Sequence, residues 1–120
     1  MASPLDAIVR ADADGARITL TGRLDRDGDE ALAAAYVAAR ATGTGPITLD
    51  FTAAGYINST GIALIVTLLA KARKAHIRLL TCGLSEHYIE IFNITRLADF
   101  MSVYPDEMSA LADKSELSEA

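Results

Sequence analysis

Sulfur chemistry is almost missing from this 120-residue chain, which holds a single cysteine, Cys82. One thiol excludes an intramolecular disulfide and fits a reducing, cytoplasmic setting. Aromatic residues are scarce at 6%, and Lys plus Arg number 11 against 16 Asp plus Glu, for a formal net charge of −5. A nucleic-acid binder gathers basic charge on one face. Here Lys71, Arg73, Lys74 and Arg78 form only a small cluster, read as the solvated end of a helix whose dipole favours cations. Long apolar runs are also lacking. The longest, Ile62 to Ala70, is interrupted by Thr67 and soon meets Lys71, short of the roughly 18–20 residues of a membrane span. The opening MASPLDAIVRADADG has no basic segment followed by a long apolar core, so a signal peptide is not expected. These absences predict no nucleic acid, no membrane and no cofactor, and leave a protein as the expected partner.

What is present is a good core composition, 51% hydrophobic. The length suits one domain, expected over residues 1–112, with a flexible acidic tail over 113–120. LDAIVRA (Leu5–Ala11) and ARITLTG (Ala16–Gly22), separated by DADG, predict a hairpin or adjacent strands. EALAAAYVAARATG predicts a helix stopped at Gly43, and PITLDF (Pro46–Phe51) a central strand. A second helix is predicted from about Ser59 to Ala75, then HIRLLTC (His76–Cys82) as strand. LSEHYIEIFNI (Leu84–Ile94) reads as a helix with an apolar stripe of Tyr88, Ile89, Ile91, Phe92 and Ile94. FMSVY (Phe100–Tyr104) reads as an edge strand, and PDEMSALA (Pro105–Ala112) as a last helix opened by proline. The order β β α β α β α β α predicts an α/β domain with a mixed, largely parallel sheet of four to five strands covered by about four helices. In such sheets the functional surface commonly lies beyond the strands' carboxyl ends, which is where the loop TAAGYINST is expected.

Three small polar residues, Asn58, Ser59 and Thr60, interrupt the apolar sequence at that loop. Asn58 or Ser59 would serve as helix N-cap, which accounts for one of them. A serine hydrolase would place its nucleophile on such a strand-to-helix turn within G-x-S-x-G, but Ile57 stands where the first glycine belongs. The two histidines, His76 and His87, lack a clear orienting acid, so an esterase is a remote alternative. The third reading makes Ser59 the substrate of another enzyme. A hydroxyl at a helix N-terminus can carry about −1.5 to −2 charges after phosphorylation, where free amides tolerate an anion. A docked protein would have to bury that dianion, which costs several kcal/mol.

ITLTGRLD (Ile18–Asp25), ITLDF and YINSTGIALIVTLLAKARK together resemble the STAS domains of bacterial anti-sigma factor antagonists. The resemblance covers most of the chain. It implies a STAS fold and a non-enzymatic partner switch. An unmodified antagonist binds an anti-sigma factor that is also a serine/threonine kinase of the GHKL type, freeing a sigma factor for transcription. The kinase phosphorylates the antagonist, the complex dissociates, and a PP2C-type phosphatase resets it. Carried onto this chain, the phosphoacceptor falls on Ser59, with Thr60 a lesser second site, and the kinase-contacting loop aspartate falls on Asp25. The docking surface would comprise Asp25, Asn58, Ser59, Thr60, Gly61 and Ile62, widened by exposed parts of Ile62 or Ile65. Asn58 stands where the family usually has aspartate. The resemblance also admits a STAS scaffold or ligand-sensing subunit that is never phosphorylated.

Other features read more plainly. Asp25, Asp27, Asp29 and Glu30 do not form a calcium loop, because the sixth position from Asp25 is Glu30 and not glycine. GTGP (Gly43–Pro46) lacks the Lys-Ser/Thr of a phosphate loop. Asn58-Ser59-Thr60 and Asn93-Ile94-Thr95 match the glycosylation sequon, which is moot for a cytoplasmic chain. Cys82 reads as a small apolar filler at a strand end.

Overall fold

Alternation of small and β-branched residues sets the first two strands in the computed structural model, which describes residues 4–11, 15–43, 45–95 and 102–104. β1 (Asp6–Ala11) pairs antiparallel with β2 (Ala16–Leu24), as the hairpin reading expected. A 3-10 turn (Arg26–Gly28) leads into α1 (Asp29–Ala41). β3 (Ile47–Ile57) follows, then α2 (Ser59–Lys74), β4 (Leu79–Cys82), α3 (Glu86–Ile94) and β5 (Ser102–Tyr104). The five strands lie in the order β1-β2-β3-β4-β5, with every pair after the first parallel. The expected mixed α/β sheet is therefore present, with β5 on its edge. The helix expected over 105–112 and the tail 113–120 lie outside the described residues.

The core follows from strand periodicity. Ile18 and Leu20 of β2 and Ile47, Leu49 and Phe51 of β3 alternate onto one face and are fully or nearly fully buried. Against them pack Leu32, Ala35, Tyr36 and Ala39 of α1 and Ile65, Leu68, Leu69 and Ala72 of α2. These sit three and four apart, one face of each helix. Phe92 of α3 closes the cluster edge-to-face on Phe51, ring centroids 6.3 Å apart. Cys82 is buried with Leu80 in a separate small cluster, the filler role expected of it.

Three expectations are corrected. β3 does not stop at Phe51 but runs to Ile57, so most of the TAAGYINST loop is strand. Register shifts between Thr19 and Thr21, and between Gly22 and Arg23, let β2 follow β3 through this small-residue stretch. His76 does not open a strand. It has φ +59° and terminates α2, its N–H donating to Arg73 O (3.1 Å) while Ile77 N–H donates to Ala72 O (2.8 Å). This is a Schellman termination with histidine where glycine is usual. Ile94 does not join the apolar stripe of α3, being 73% exposed in the last turn.

Candidate functional site

Parallel pairing brings the site together. β2 and β3 end in register, Leu24 opposite Ile57, so the residues just past each end, Asp25 and Asn58, are delivered to the same edge. A direct bond ties the two ends, Asn58 N–H donating to Leu24 O at 3.3 Å. That edge is the carboxyl end of the parallel strands, where α/β sheets present ligands and partners.

Two side chains of the edge have structural duties. The Asp25 carboxylate accepts from Asp27 N–H at 3.0 Å, capping the 3-10 turn, and is held by Arg23 Nε. Arg23 also lies 3.9 Å from the Asp27 carboxylate. Asn58 is the N-cap of α2, its Oδ1 accepting from Gly61 N–H at 2.8 Å, while its carbonyl takes the first helical bond from Ile62 N–H at 2.9 Å. Of the two capping candidates in the sequence, Asn58 is the one used.

That leaves Ser59 and Thr60 as the first two helical residues, both exposed. Their amides belong to the first turn and have no carbonyl four residues back inside the helix. The hydroxyls therefore stand over donors and the positive end of the helix dipole. No acidic residue occupies the first turn of α2. Ile62 is half-buried against the core, and Ile65 is fully buried, so Ile65 does not widen the exposed patch as expected. Tyr56 near the end of β3 and Val66 of α2 are large apolar side chains, each 45% exposed.

Gly61 belongs to the interior. A Cβ there would lie 2.2 Å from Leu24 O and 2.9 Å from Leu24 C. Its lack of a side chain lets the start of α2 press on the end of β2. Tyr88 of α3 braces the same edge, its hydroxyl accepting from Ile57 N–H at 3.0 Å. His87 stacks edge-to-face on Tyr88 (centroids 5.0 Å apart) and His76 ends α2, at the opposite end of that helix from Ser59. No histidine–serine relay is assembled among the described residues. No described helix is long and apolar enough to cross a membrane.

A mixed, mostly parallel sheet whose strand ends deliver a capped helix mouth beside an acidic loop defines an α/β class of domain that sequence comparison specifies further. The chain belongs to the STAS-domain family: the family model described as "Mlab, STAS domain" matches residues 8–104. No curated protein matches it in sequence. Among solved structures it is similar to an anti-sigma factor antagonist from Mycobacterium paratuberculosis, with TM-score 0.79 and 19% identity over 96% of this chain and 99% of that one. An anti-sigma-factor antagonist (STAS) domain protein from Planctomyces limnophilus gives TM-score 0.76 and 17% identity over 92% and 98%. The Bacillus cell fate determinant SpoIIAA in its phosphorylated form gives 0.68 and 19% over 89% and 97%. At these identities the likeness is one of fold.

Proposed function

We propose that this chain is an anti-sigma factor antagonist, docking through the edge formed by Asp25, Asn58, Ser59, Thr60 and Ile62. Its partner is an anti-sigma factor with GHKL-type serine/threonine kinase activity, and the complex frees a sigma factor. The observation that carries the reading is the division of labour at α2. Asn58 holds the cap, so the adjacent Ser59 hydroxyl is exposed and positioned without being consumed by it. The described function of the solved neighbours, one of them in a phosphorylated form, supports the same reading.

In the switch, Ser59 Oγ attacks the γ-phosphorus of ATP held by the kinase. The bond to the β–γ bridging oxygen breaks, ADP leaves, and the serine proton passes to a base of the kinase. The new phosphate rests over the Ser59 and Thr60 amides, so the helix tolerates it. A tightly packed partner does not, because it must desolvate the dianion beside Asp25. A PP2C-type phosphatase would then hydrolyse the ester and restore the docking surface.

The test is binding and intact mass against the purified partner kinase. Ser59→Ala should bind like the parent and gain no mass with ATP, whereas Ser59→Glu should bind about tenfold or more weakly. Equal binding by parent, Ala and Glu forms rejects the switch. A second reading, a STAS scaffold or ligand-sensing subunit without phosphorylation, is favoured by Asn58, which stands beside Ser59 where the family usually has aspartate. It requires stable partner binding with no phosphoryl group gained.

A further inference from the structure

At the edge of the sheet remote from β5, β1 offers an outer strand edge that no described strand pairs along its length. Its side chains alternate. Ala7 and Val9 pack against the core, while Asp6, Ile8 and Arg10 project from the other face, all exposed, with Ile8 at 52%. Neither the Asp6 carboxylate nor the Arg10 guanidinium makes an ion pair with another described residue. Arg10 sits directly opposite Arg17 on β2.

We propose that β1 is a homodimer interface, with β1 strands of two copies pairing antiparallel about a two-fold axis at Ile8. The order Asp6-Ala7-Ile8-Val9-Arg10 is self-complementary in that register. Ile8 meets Ile8 of the second copy, and Asp6 meets Arg10 of the second copy on each side of the axis. Each Arg10 then gains a carboxylate partner. An isologous contact of this kind makes every off-axis interaction twice. Exposed strand edges are normally guarded against self-pairing by charge, but a guard uses charges that repel a second copy in register. This arrangement attracts one, and its centre is an exposed isoleucine. The two sheets would join into one, with Ser59 outside the contact, since β2 lies between β1 and β3, the strand that leads into α2.

The strand is six residues long, so the dimer should be weak, with a micromolar dissociation constant, and should loosen with added salt. Sedimentation equilibrium on the full chain tests it. Asp6→Arg and Arg10→Asp, each exposed and made singly, should weaken dimerisation about tenfold by placing like charges opposite one another. The double variant Asp6→Arg/Arg10→Asp restores the complement and should return the parent value. Ile8→Lys, which puts two cations on the axis, should abolish the dimer while circular dichroism stays native. A parent chain that is monomeric at millimolar concentration overturns the proposal. So does a dimer indifferent to the single reversals, which would lie on another surface. Neither outcome touches the Ser59 switch, whose test is binding to the kinase.

Discussion

Ser59, Asn58 and Gly61 occupy four consecutive positions with Thr60, yet each answers to a different physical constraint. Asn58 holds the cap, Ser59 is free of it, and Gly61 is fixed by the Leu24 carbonyl beneath it. The sequence motif made Ser59 legible as a candidate, because a hydroxyl at a helix start can be read from residue order alone. It did not make Gly61 legible. Nothing in residue order shows that the missing side chain leaves room for the protein's own β2 and not for a partner. The two roles have measurable consequences. Asn58→Ala removes one cap and should cost about 0.5–2 kcal/mol in urea unfolding. Gly61→Ala must move backbone, since both close atoms belong to the main chain, and should cost about 1–3 kcal/mol or more. If Gly61→Ala is as stable as the parent, the close approach of α2 to Leu24 is not what fixes this residue.

At the level of elements, the succession of helices and strands from β1 to β5 is legible in the sequence, and strand ends are not. α1 and α2 carry apolar residues three and four apart, a pattern only a helix satisfies, and both begin within a residue of the predicted positions. The sequence reading ends β3 six residues early because Thr52–Tyr56, TAAGY, has alanine and glycine at its centre and only one β-branched residue. Pairing with an irregular β2 overrides that local signal. His76 reads as the start of a strand because no glycine marks the end of α2, and a left-handed conformation is uncommon for any non-glycine residue. The lengthened β3 explains the role of α3. Its Tyr88 hydroxyl is the acceptor for Ile57 N–H, one residue before the Asn58 cap. Tyr88→Phe keeps the ring and orphans that amide, so it should destabilise the domain by about 1–3 kcal/mol. Hydrogen exchange at Ile57 should quicken more than at Leu49, deep in the same strand. Unchanged exchange at Ile57 would show that the bond carries no weight.

Over the whole molecule, charge is polarised along the strands. In consecutive parallel β-α-β units the helices run against the strands, so α1 and α2 both begin at the Ser59 edge and end at the opposite one. Among the described residues, Asp25, Asp27, Asp29 and Glu30 outnumber Arg23 and Arg26 at the first pole, while Arg40, Lys71, Arg73 and Lys74 lie in the last turns at the other. If the Ser59 edge docks a protein, that protein meets a negative field before contact, and a complementary basic surface is drawn in faster. In the proposed switch, phosphorylation would add further negative charge to the same pole, so release would not come from long-range repulsion of a basic partner. It must act at contact, through the desolvation of a dianion in a closed interface. The two effects separate kinetically. Neutralising exposed acids beside the contact, with Asp27→Asn and Glu30→Gln together, should lower the association rate constant about two- to tenfold at low salt and flatten its salt dependence. The dissociation rate should scarcely change. Ser59→Glu should do the reverse, raising dissociation while leaving association near the parent value. Stopped-flow measurements at two ionic strengths decide it. A slowed association with Ser59→Glu, at unchanged dissociation, would mean that charge at this edge acts at a distance and that close packing over Ser59 is not the basis of release.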